Sequence, residues 1–190
     1  MSLHTVYKRT VIPASLRDDL LKSAGCLPYS REVEIGGYIT KGAVYYTNGS
    51  FDNVPVPAGK KIVFHTHPPK DRGDMPSELD ILNMIFSKWD TSILLTEHKL
   101  IVIERTAEFD AIVESIEKRH DKHAIDAATI LKTKGADALF YYLARTILKK
   151  HLHGNGVSHR TWPKQWESLL VNNLGLKLKT WDCVPYSCAA

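Results

Sequence analysis

Apolar and polar positions change period several times along the chain. Residues 5–12 carry the pattern of a short strand. Pro13 and Ser15 then open a helix with Leu16, Leu20 and Ala24 at four-residue spacing, and Gly25 stops it. Residues 32–39 predict a strand, and residues 43–47 pair with it across a Lys41-Gly42 turn. Asn48-Gly49 is a second turn signal. Residues 61–67 form a third strand that ends at Pro68-Pro69, where the backbone can no longer donate to a ladder. A polar loop, residues 70–75, follows. Pro76-Ser77-Glu78-Leu79-Asp80 begins a helix carrying Ile81, Leu82, Ile85 and Phe86. Ser77 stands as its N-cap, with Asp80 as the acidic half of a capping box.

Residues 92–96 and 100–105 read as a hairpin around Glu97-His98-Lys99. Beyond Arg105 the character changes. Residues 109–120 are helical, and Leu139, Leu143 and Ile147 make a further apolar stripe. After Gly154-Asn155-Gly156, a helix runs from Trp162-Pro163 to Asn172 and a last strand covers residues 174–181. The expected class is mixed α/β (α+β) with a helix-rich C-terminal third.

Composition adds boundaries to that picture. At 190 residues the chain is somewhat long for one domain, and a chain of this size buries roughly 70% of its unfolded surface without a disulfide framework. Hydrophobic content of 44% and charged content of 24% exclude global disorder. The longest apolar runs are pieces such as Leu100-Ile101-Val102-Ile103, far short of the ~18 residues of a membrane span. The first residues have no apolar signal region, and three cysteines (Cys26, Cys183, Cys188) suit a reducing compartment, so an intracellular, soluble protein is expected. The net charge of +4 is uneven: residues 138–181 hold seven basic residues and one acidic, Glu167. A basic tail can attract nucleic acid, but solvated helix surfaces account for it more simply. With nine histidines against three cysteines, any metal should be held by imidazole and carboxylate.

His65-Thr66-His67 supplies the chemistry. Alternation along a strand puts two residues at this spacing on one face, so both imidazoles can converge on one ion. Asp80, in the first turn of the following helix, can swing back over the strand end. Two histidines, one aspartate and an open position make a catalytic zinc site, which lowers the pKa of its water towards ~7. The general base must then be a carboxylate that is not a ligand. Glu34, two residues before Gly36-Gly37, is the candidate, with Glu32 competing. His120 with His123, and His151 with His153, read as solvated helix ends. Trp162, Trp166 and Trp181 read as packing residues of the C-terminal part, or as a partner face.

Glu34, then His65-Thr66-His67-Pro68, then Ser77-Glu78-Leu79-Asp80, resembles the motif of the JAMM (MPN-type, JAB-domain) zinc metalloproteases over roughly residues 5–120. The resemblance implies a cytidine-deaminase-like core, a curved mixed sheet flanked by helices, in residues 1–120. A mostly helical, basic extension then occupies residues 121–190. It implies that His65, His67 and Asp80 bind one zinc ion. Glu34 would shuttle the proton from water to the leaving amine, and Ser77 would donate to the oxyanion. Nine residues separate His67 from Ser77 where the family pattern has seven, a difference confined to a polar loop.

The implied function is isopeptide hydrolysis between lysine and ubiquitin or a ubiquitin-like protein, with the extension available for docking into a larger assembly. Alternatives with the same chemistry are cleavage of cell-wall or phage-tail peptides, or of sulfur-carrier precursors. Non-enzymatic alternatives are an inert MPN scaffold and a nucleic-acid binder acting through the basic tail. No membrane partner is expected.

Overall fold

The computed structural model describes residues 5–16, 23–51, 53–69, 74–120 and 163–182. Among them, seven strands form one mixed sheet in the order β1-β3-β2-β4-β5-β6-β7. The strands are β1 (Lys8–Val11), β2 (Ile35–Thr40), β3 (Ala43–Asn48), β4 (Ile62–Thr66), β5 (Thr91–Leu95), β6 (Lys99–Glu104) and β7 (Lys177–Asp182). The helices described along their whole length are α1 (Glu78–Ser87), α2 (Ala107–His120) and α3 (Pro163–Asn172). The class is therefore mixed α/β. No helix among the described residues is long and apolar enough to cross a membrane.

The hairpins form where the turn residues place them. Gly42 takes φ 90° and lets β2 return as β3 through a two-residue turn. Only β4 and β5 run parallel, with α1 as the crossover between them. Strand alternation then divides the core in two. Val63, Leu94, Ile101 and Ile103 face α1, together with Ile81, Leu82, Phe109, Trp166 and Leu170. Phe64, Ile93, Leu95, Leu100 and Val102 face the other way, against Ile12, Ala24 and Leu27. Each side of the central strands is covered, so β4 and β5 read as nearly continuous apolar runs.

Two sequence expectations need correction. The strand foreseen over residues 32–39 begins only at Ile35. Ser30 Oγ accepts the N–H groups of Glu32 (3.1 Å) and Val33 (3.3 Å), and this local turn bends the chain before the ladder starts. Cys26 is disulfide-bonded, which the reducing-compartment reading of the cysteine count did not anticipate. Residues 14–16 form a 3-10 turn, and the rest of the foreseen first helix up to residue 22 lies outside the described residues. So do the Leu139–Leu143–Ile147 stripe and Trp162.

The chain returns to the sheet after residue 162. β7 pairs with β6 along six residues, from Lys99 opposite Asp182 to Glu104 opposite Lys177. Glu104 accepts from Lys177 and Lys179, at 3.0 and 2.9 Å, across that edge. These two ammonium groups hold its carboxyl below the ordinary value. The Thr106 hydroxyl donates to the Gly175 carbonyl, and Trp166, Leu170, Leu174 and Leu176 are buried in the core under α1. Residues 163–182 thus complete both the sheet and the larger core.

Candidate metal centre

β4 ends beside the N-terminus of α1, and the sheet changes there from antiparallel to parallel pairing. A crevice at such a point is where α/β sheets commonly take ligands. His65 on β4 and His67 just past its end both project from the α1 side, because Val63 of the same parity lies in the α1 core. The backbone of His67 is fixed from two directions. Its N–H donates to Leu95 O (2.9 Å), and its carbonyl accepts from the Tyr29 hydroxyl (3.2 Å).

Asp80 arrives from α1 through the capping box. Its N–H donates to Ser77 Oγ (3.3 Å), and its Oδ2 accepts from the N–H (2.7 Å) and hydroxyl (2.8 Å) of Ser77. With Oδ2 so engaged, Oδ1 faces His65 Nε2 at 3.0 Å, while Oδ2 is 3.6 Å from His67 Nε2. The two Nε2 atoms are 3.3 Å apart. His65, His67 and Asp80 are 6%, 4% and 9% exposed.

These spacings can be compared with what a metal requires. In a tetrahedral zinc site with bonds of ~2.0–2.1 Å, adjacent ligand atoms stand roughly 3.3–3.4 Å apart. The two Nε2 atoms, 3.3 Å apart, match that edge; Asp80 Oδ1 stands 3.0 Å from His65 Nε2, and one ligand atom from each residue lies within 4.8 Å of the others. Two imidazoles and a carboxylate are also a donor set that zinc accepts. This buried group can hold one metal ion. Electrostatics agrees with the geometry: burial raises the Asp80 pKa, but the charge and hydrogen bond of His65, then His67 and the Ser77 N–H, outweigh it. They hold the carboxyl well below the usual carboxylate range.

Glu34 completes the arrangement. It is 4% exposed and lines the same pocket as His65, His67, Ser77 and Asp80. Its backbone is clamped to the following loop, its N–H donating to Ser50 O (2.9 Å) and its carbonyl accepting from Gly49 N–H (2.8 Å). Gly36, opposite His65, lies beneath Val54 and Val56; a Cβ there would come within 2.6 Å of the Val54 side chain. Glycine lets that loop close over the pocket. The competing Glu32 is exposed and outside the lining.

All five residues singled out by spacing therefore meet at one place. The pocket adds Asn53, Val54, Leu79, Asn83 and Trp89. Asn83 lies three residues after Asp80 on α1, so helical periodicity could have flagged it. Asn53, Val54 and Trp89 arrive by tertiary folding and carry no local signal. Trp89 is anchored by its indole N–H, which donates to Pro57 O at 3.0 Å. Among the other histidines, His98 is exposed beside Glu97, and His123, His151 and His153 lie outside the described residues.

No family model, curated protein or solved structure matches the chain significantly.

Proposed function

We propose that the chain is a JAMM-type zinc isopeptidase that hydrolyses the bond between ubiquitin, or a ubiquitin-like protein, and a lysine amine. One observation carries the reading. Glu34, His65, His67, Ser77 and Asp80 come from three separate segments, occur in the order of the JAMM motif and line one pocket. The mixed sheet, with a parallel β4–β5 pair and α1 between them, is compatible with the cytidine-deaminase-like core that the motif implies.

A zinc ion held by His65, His67 and Asp80 would supply Lewis acidity and water acidified to a pKa of ~7. Glu34 then accepts the proton of the attacking water and delivers it to the departing lysine amine. Its burial keeps bulk water from competing for that proton. The Ser77 hydroxyl donates to the oxyanion. It now donates to Asp80 Oδ2, so this role needs only a rotation about its Cβ–Oγ bond, while the Ser77 N–H continues to hold Asp80. Loss of one such donor typically costs on the order of 10²–10³ in rate. The N-terminal end of α1, beside the same point, adds a favourable dipole for negative charge.

The test is incubation of purified protein with linked ubiquitin chains, with and without chelator. Cleavage that stops with chelator and with Glu34→Gln supports the proposal. Chelator-sensitive cleavage of cell-wall or sulfur-carrier peptides, with ubiquitin chains left intact, would reassign the substrate. A zinc-loaded protein that cleaves none of these would favour the scaffold reading.

A further inference from the structure

β2 and β4 pair in antiparallel register as far as Gly36 opposite His65, and the ladder ends there. One step on, the Ile35 N–H donates not to a main-chain carbonyl but to Thr66 Oγ1, at 2.9 Å and fully buried. Beyond this bond the two segments part. Glu34 is held by Gly49 and Ser50 on its β3 side and His67 by Leu95 on its β5 side, with no further β2–β4 pair between them. Continued pairing would put Glu34 directly across from His67 at the ~4.5–5.5 Å Cα spacing of neighbouring strands, leaving no room between them. The divergence makes the pocket, and the Thr66 hydroxyl is the bond that spans its base.

Thr66 is not itself a ligand, because alternation turns its side chain to the face opposite His65 and His67. That face is apolar, built from Phe64, Ile93, Leu95 and Ile35. Packing alone would favour valine at a position 0% exposed, since a buried hydroxyl is costly unless bonded. Here the hydroxyl is bonded, to the amide next to the proposed base.

We propose that Thr66 is the positioning residue for Glu34: its hydroxyl ends the ladder, takes the Ile35 N–H and so sets the distance from the Glu34 carboxylate to the His65–His67–Asp80 group. The inference rests on the reading of Glu34 as the base of a hydrolytic metal centre. Thr66 acts through the Ile35–Glu34 backbone and touches no reacting atom.

Two variants separate the hydroxyl from the packing: Thr66→Val keeps the shape and Thr66→Ser keeps the hydroxyl. Three readouts apply: zinc retained after dialysis, amide hydrogen exchange at Ile35, and the zinc-induced shift of the Glu34 side-chain carboxylate carbon resonance, assigned with Glu34→Gln. Both variants should retain zinc. Thr66→Val should speed Ile35 exchange by roughly tenfold or more and abolish the Glu34 shift, and Thr66→Ser should restore both. With ubiquitin chains, Thr66→Val should lower kcat by roughly 10²-fold at unchanged KM.

Unchanged exchange and an unchanged Glu34 shift in Thr66→Val would overturn the inference. So would loss of zinc in that variant, which would make Thr66 a support of the ligands instead. A wild-type protein that binds zinc but cleaves nothing would remove the proposed function, while the exchange and resonance readouts would still decide the role of Thr66. A wild-type protein that binds no zinc would overturn both.

Discussion

Trp166 links the far end of the chain to the metal centre, and replacing it with phenylalanine tests that link. Its indole N–H donates to Pro76 O at 2.7 Å, one residue before the Ser77 cap, and the side chain is 1% exposed. Phenylalanine removes the donor and leaves the buried Pro76 carbonyl without it, at a cost of about 1–3 kcal/mol. The smaller ring also leaves a void worth roughly 1 kcal/mol. The sum, roughly 2–4 kcal/mol, lowers Tm by roughly 5–15 °C in a protein of this size. Urea and thermal denaturation followed by circular dichroism measure it. Trp181→Phe is the control, because Trp181 is only partly buried at the sheet edge; its loss should stay below about 1 kcal/mol. A Trp166→Phe protein within about 0.5 kcal/mol of wild type would refute the claim that residues 163–182 brace the N-terminal end of α1.

Other consequences concern the site and the core. Asp80 has a folded-state pKa below its unfolded value of ~3.9. Its contribution to stability in the metal-free protein is therefore complete above that pH and is lost as pH falls through the depressed value. Metal-free Asp80→Asn should show a flatter acid limb between pH 6 and 2 in urea titrations, and an unchanged slope would contradict the assignment. Ser92 Oγ is buried with no hydrogen-bond partner among the described residues, so Ser92→Ala should be neutral or stabilising by up to about 1 kcal/mol. A loss above 1 kcal/mol in a urea melt would reveal a partner. The Cys26 disulfide implies one titratable thiol in the denatured, unreduced protein and three after reduction; three before reduction would show the bond is absent.

Local chemistry explains which parts of this molecule were legible in its sequence. His65 and His67 at strand spacing, the Ser77–Asp80 capping box and the Lys41-Gly42 turn each depend on neighbours within a few residues, and each stands as expected. Glu34 was legible as a residue but not in its setting: the Ser30 turn that keeps it out of β2 is a side-chain bond invisible to hydrophobic alternation. The order of the sheet depends on long-range pairing, as β7 beside β6 and β1 beside β3 illustrate. The same holds for the Trp166–Pro76 bond, whose partners are 90 residues apart. The basic surplus marked the C-terminal segment only as an extension of open role. Leu170, Leu174 and Leu176, interleaved with those charges, place part of that segment in the core.

The central claim is that His65, His67 and Asp80 form one metal site, and zinc titration by calorimetry, with metal content measured on the dialysed protein, tests it most directly. The account expects close to one zinc per chain for wild type, and none retained by His65→Ala or His67→Ala proteins that still fold. A folded wild-type protein that takes up no zinc, or variants that bind it as wild type does, would contradict it.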